Sequence, residues 1–162
     1  MGSQCVAKLK QNGWILKRIP DKEKTPELCK EAIVNAEPLY WSSEKILQFV
    51  PEALKTRQLC LLAVQMDGDN LQFVPKELRD REICIAAVSE YGESLCFVPE
   101  ALRDREIYER AVKQNGMALM CVPADQIDRS LALKAIRSNR KARQCVPRNI
   151  LSKLRQQSSE ER

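Results

Sequence analysis

Phe73-Val74-Pro75-Lys76-Glu77-Leu78-Arg79-Asp80-Arg81-Glu82-Ile83-Cys84-Ile85-Ala86-Ala87-Val88-Ser89-Glu90-Tyr91-Gly92-Glu93-Ser94-Leu95-Cys96-Phe97-Val98-Pro99 begins and ends on the same tripeptide. Working outward, Phe49-Val50-Pro51, Cys121-Val122-Pro123 and Cys145-Val146-Pro147 continue the series at a spacing of 24 residues. A fixed period of this size marks a repeat array, in which each unit buries its apolar face only against its neighbours. Ile19-Pro20 stands one period plus seven residues before Pro51, so an insertion falls between Val34 and Leu47. The chain divides into a partial unit over 1–19 and five units over 20–146, starting at Pro20, Pro51, Pro75, Pro99 and Pro123. A C-terminal piece over 147–154 follows, and the polar stretch 155–162 reads as a disordered tail.

Within a unit, apolar residues stand at offsets 8, 9, 12 and 13 from the proline, as in Ile83, Cys84, Ala87 and Val88. That is the stripe of an amphipathic helix. Offset 5 is Thr25, Thr56, Asp80, Asp104 and Asp128, all good N-caps, and Pro26 follows Thr25 at the favoured first helical position. Gly13, Gly68, Gly92 and Gly116 share one position and are expected to end each helix in a left-handed C-cap. Leu71, Phe73 and Val74 suit an apolar turn, after which the proline opens a second short helix over about 75–79. The recurring alanine is the expected close-approach point between successive helices. The expected fold is therefore all-α: a right-handed superhelical solenoid of short two-helix repeats with a 24-residue period.

The pattern Leu-x-Phe-Val-Pro-Glu-x-Leu-Arg-Asp-Arg-Glu-Ile-x-x-x-Ala-Val-x-x-x-Gly resembles the repeat of domain of unknown function 4116. Gln11-Asn12-Gly13 and Gln114-Asn115-Gly116 match its helix end, and the likeness runs from about Ala7 to Pro147. The fifth unit departs, with Arg140 in place of glycine and Gln126-Ile127 in place of Leu-Arg. The resemblance implies a helical repeat without an attached activity. It also implies a microbial setting that includes secreted effectors, and delivery into a host cell is an expectation on that ground alone.

Composition narrows the chemistry. Of 162 residues, 44% are hydrophobic and 30% charged, and histidine is absent, which removes the commonest general base and metal ligand. Five glycines leave no phosphate-cradling loop. Neither a signal-peptide pattern nor an apolar run long enough for a bilayer opens the chain. Seven cysteines invite a metal or thiol-enzyme reading, but register argues against it. Cys5, Cys29, Cys60 and Cys84 share the offset that Tyr108 and Ala132 fill, while Cys121 and Cys145 stand where other units have Phe. They read as small core hydrophobes, without an interior disulfide or zinc, in a protein of the cytoplasm or another reducing compartment.

Three groups of residues remain as candidate binding sites. Arg57, Arg81, Arg105 and Arg129 recur in the first helical turn, where a cation opposes the helix dipole. They read either as ion pairs to Asp80, Glu82, Asp104, Glu106 and Asp128 of adjacent units or as a guanidinium row facing an anionic partner. From Arg129 onward ten Lys/Arg face two Asp/Glu, against 17 and 20 before it, and the excess includes Arg137, Arg140, Lys141, Arg143 and Arg148. A basic end meets an anionic partner, or serves as a polar cap. The insertion brings Tyr40 and Trp41 into a chain with few aromatics, and Trp14 stands where later units carry Asp69 and Glu93. These three read as partner-binding hot spots or as a seal over the N-terminal end.

The functional expectation is a monomeric, non-catalytic interaction module that binds another protein, with no cofactor, no metal and no membrane insertion. The alternative is nucleic acid, or another anionic partner, bound through the basic C-terminal repeat.

Overall fold

The computed structural model describes residues 2–37 and 44–160, and no strand occurs among them. Seven α-helices follow in order: α1 Gly2–Gln11, α2 Pro26–Val34, α3 Arg57–Met66, α4 Arg81–Glu90, α5 Arg105–Gln114, α6 Arg129–Ser138 and α7 Arg148–Glu160. The N-caps are those the sequence marks. Thr25, Thr56, Asp80, Asp104 and Asp128 each accept the backbone N–H of the residue three positions on. Helices α1 to α6 pack each on the next, and the connecting segments do the same in a second row, so contacts run only within a unit or between successive units. One continuous core threads the array, holding Leu28, Leu59, Ile83, Ile107 and Leu131 among its residues.

The unit holds one α-helix and two 3₁₀ helices, not two helices and a turn. The segment expected as an apolar turn is itself helical, as in Gly68–Phe73, Gly92–Phe97 and Gly116–Cys121. The post-proline helix shrinks to three residues, such as Lys76–Leu78. Tight i→i+3 bonding explains the longer segment: the Val74 N–H closes on the Leu71 carbonyl, and the next residue, Pro75, has no N–H to carry the helix on. Asp67 caps its start by accepting the Asp69 N–H.

The repeated glycine also has a different cause from the one expected. Among the described residues no glycine has positive φ, so none makes a left-handed cap. Each opens a 3₁₀ helix and lies against the next unit's recurring alanine: a Cβ on Gly13, Gly68, Gly92 or Gly116 would stand under 3.0 Å from the carbonyl oxygen of Ala32, Ala87, Ala111 or Ala135. The alanine's close contact is thus with the preceding unit's 3₁₀ helix, through its backbone oxygen. At the far end, α7 continues to Glu160, past Leu154 where the sequence reading began an unstructured tail.

Candidate interaction surface

The arginine row is an ion-pair ladder for three of its four members. Arg57 bonds Asp80 and Glu82 of the next unit, and Arg81 repeats this with Asp104 at 2.7 Å and Glu106 at 2.6 Å. Arg105 joins Asp128 at 2.9 Å and Glu109 of its own helix at 2.7 Å. The acids do double duty, since Asp80, Asp104 and Asp128 are also the N-caps. The Ile107 N–H and then the Arg81 guanidinium hold the Asp104 carboxyl below its ordinary range. The dipole cost of each cation is thereby offset by carboxylates at the neighbouring helix start. Arg129 ends the row with no ion pair among the described residues, because its ladder partners one period on would be Ser152 and Leu154.

A second cation row escaped the sequence reading. Lys24, Lys55, Arg79 and Arg103 share offset 4, and their side chains run inward. Lys24 and Lys55 donate to the carbonyls of Phe49 and Phe73, at 2.7 and 3.0 Å, where the 3₁₀ helix at the far end of the same unit stops. Arg79 donates to Phe97 at 2.8 Å and also to Val74 and Gln72. Arg103 holds Val98 and Cys96. These charge-assisted bonds satisfy carbonyls that the helix ends leave open. Their recurrence was the available signal, but a repeated cation in sequence looks the same whether it faces water or a carbonyl.

The cysteines divide by position. Cys29, Cys60 and Cys84 are fully buried in the core, and burial pushes the Cys60 and Cys84 thiols up to about 11. Cys96 and Cys121, however, are disulfide-bonded across units three and four, with Cα atoms 5.3 Å apart. This corrects the expectation of no interior disulfide. Cysteines at equivalent positions stay unbridged, as free Cys29, Cys60 and Cys84 show. But residues one period plus one apart lie diagonally across neighbouring 3₁₀ helices, within bridging reach. The reducing-compartment expectation rested on unpaired thiols and loses that footing for this pair.

Trp14 is half-buried rather than displayed. Its Nε1 donates to the Glu37 carbonyl at 2.9 Å, and its ring meets Phe49 edge-on at 6.4 Å. Tyr40 and Trp41 lie outside the described residues.

At the C-terminal end Arg129, Arg137, Arg140, Lys141, Arg143 and Arg148 are all exposed, without an ion pair among the described residues. Two of them replace packing residues. Arg140 holds the glycine position, and Arg143 holds the position of Leu16, Leu47, Leu71, Leu95 and Leu119, which are all buried. Beside them a groove of about 690 Å³ runs between α5 and α6, lined by Glu106, Glu109, Arg110, Lys113, Lys134, Arg137 and Ser138. Its acids are already neutralised: Glu106 by Arg81 and Arg110, Glu109 by Arg105 and Lys134. Among the described residues no group of three or more His, Cys, Asp or Glu side chains is placed to hold a metal, and no helix is long and apolar enough to cross a membrane.

No curated protein and no solved structure matches the chain. The family model described as domain of unknown function (DUF4116) matches it four times in overlapping register, over residues 25–79, 56–103, 80–127 and 104–151. Each match spans about two of the 24-residue units. The ladder falls within that span, as do the inward cation row from Lys55 on and the glycine–alanine contacts from Gly68 on, and the chain belongs to the DUF4116 repeat family.

Proposed function

We propose that this array is a non-catalytic scaffold that binds another protein. The observation that carries the reading is where the recurrent polar groups go. The ladder acids, the N-caps and the offset-4 cations are consumed in bonds within and between units, so the array turns its polar side chains to holding itself together. What it offers outward is extended surface, the usual working part of a repeat protein. A microbial effector acting inside a host cell is the setting that the family resemblance favours. Immobilised full-length chain, incubated with lysate from the source or host cell and then cross-linked, should retain a partner at saturable, stoichiometric yield. Failure to form any saturable complex with protein would overturn the reading.

Nucleic acid is the second reading, and the unpaired cations between Arg129 and Arg148 favour it. Against it, no aromatic residue follows Tyr108, and Tyr108 is buried, so that end has no stacking platform for bases. Mobility-shift assays at two salt concentrations separate the two readings, because phosphate contacts weaken steeply with salt.

A further inference from the structure

The end of the array differs in kind from its middle. Through units two to four, each first-turn arginine is answered by carboxylates of the following unit. Residues 129–148 reverse this, with seven cations (Arg129, Lys134, Arg137, Arg140, Lys141, Arg143 and Arg148) and no acid. Only Lys134 has an ion pair among the described residues, to Glu109 at 2.8 Å. Arg140 and Arg143 are the telling pair. In the partial unit and in units two to four the first position holds the glycine that receives the next unit's alanine carbonyl, and in every earlier unit the second holds the leucine that packs beneath it. In the geometry of Gly68, Gly92 and Gly116 a Cβ at 140 would meet the alanine carbonyl of a following unit, and a guanidinium at 143 replaces an apolar contact with charge. The face that would stack on a sixth unit has become cationic.

A cap built only for solubility needs polarity of either sign, and mixed signs cost least because like charges repel. The single sign therefore points outward, to an anionic ligand. The groove beside it narrows the class. Arg110, Lys113, Lys134 and Arg137 line it and offer the apolar area of their stems, beside the carboxylates of Glu106 and Glu109. Both carboxylates are already paired to cations, and no aromatic residue follows Tyr108 to stack a base. The surface suits a peptide, whose acidic side chains can meet the unpaired cations while its apolar side chains rest on the stems.

We infer that the fifth unit, through Arg137, Arg140, Lys141 and Arg143 and the adjoining α5–α6 groove, is the docking surface for an acidic segment of a partner protein. This rests on the scaffold reading and supplies the chemistry of its partner. The test uses the full chain and three fluorescent probes: a 20-residue peptide of alternating Glu and Leu-containing blocks, single-stranded DNA and double-stranded DNA, each of matched net charge. The peptide should bind most tightly at physiological salt. Binding should weaken at least tenfold in Arg140→Glu/Arg143→Glu and stay within twofold in Lys22→Glu/Lys30→Glu, which removes exposed cations at the other end. Circular dichroism of both variants guards against loss of fold, and salt titration of the wild type gives a second readout. Equal binding by both variants, tighter binding of either DNA, or no binding of the peptide would overturn the inference. If the Arg140→Glu/Arg143→Glu chain still captures its protein partner from lysate, the scaffold reading survives and only this surface is lost.

Discussion

A single hydrogen atom on Cα sets the spacing between units. Gly92 sits under the Ala111 carbonyl, so Gly92→Ala must push two units apart or bend a helix. Overpacking of this kind costs about 1–3 kcal/mol, which chemical denaturation will read as a lower midpoint. Arg140→Ala, at the same position without a following unit, should stay within about 0.5 kcal/mol of the wild type. The buried thiols give the second residue-scale prediction. Cys60 and Cys84, pushed up to about 11, should be labelled by iodoacetamide at pH 8 roughly a hundredfold more slowly than an ordinary thiol, since only the thiolate reacts. The sign with pH follows. In the unfolded chain these thiols ionise near 9 while the folded core keeps them protonated. Stability is therefore intact below pH 9 and falls as pH rises from 9 through 11. Melting temperatures that hold steady across that window would contradict the burial.

At the scale of elements, the two cation rows look alike in sequence and differ in worth. Arg81 is exposed and paired to exposed acids, so Arg81→Gln should leave the urea midpoint almost unchanged. Arg79 reaches inward to the carbonyls of Gln72, Val74 and Phe97. Removing it strands those acceptors at the ends of 3₁₀ helices, and Arg79→Met should cost about 1–3 kcal/mol. Urea denaturation of the two variants side by side is the check, and equal losses would mean the inward row is not the stronger staple. The helix starts were plainly legible. An N-cap needs only the capping residue and its own N–H three residues on, so Thr25 and Asp80 announce it locally. The 3₁₀ segments were not. Leu71-Gln72-Phe73 is too short for a period to show, and its shape depends on Asn70, whose amide accepts from Leu47 of the preceding unit and donates to Ala63.

For the whole molecule, stability is the sum of units and the junctions between them, and one junction carries a covalent bond. The Cys96–Cys121 disulfide closes units three and four onto each other. Cross-links of this kind add about 2–4 kcal/mol by restricting the unfolded chain. Reductant, or Cys96→Ser/Cys121→Ser, should lower the denaturation midpoint accordingly while helical content is kept. Non-reducing peptide mapping should find the Cys96 and Cys121 peptides joined; two free thiols there after air oxidation would contradict the geometry.

The 24-residue period, the helix N-caps, the buried apolar stripe and the basic C-terminal excess were determined by the sequence alone. Each is either local or additive along the chain, so no knowledge of neighbours in space is needed. Tertiary structure decided why the glycines are there, which cations face carbonyls and which face water, and which two of seven cysteines meet. Those depend on how one unit lies against the next, at distances of a few ångströms that a one-dimensional repeat does not record. The glycine at position 92 and the arginine at position 140 show the difference. In sequence they are a consensus residue and its exception. In space one lies against the following unit's alanine carbonyl and the other is exposed.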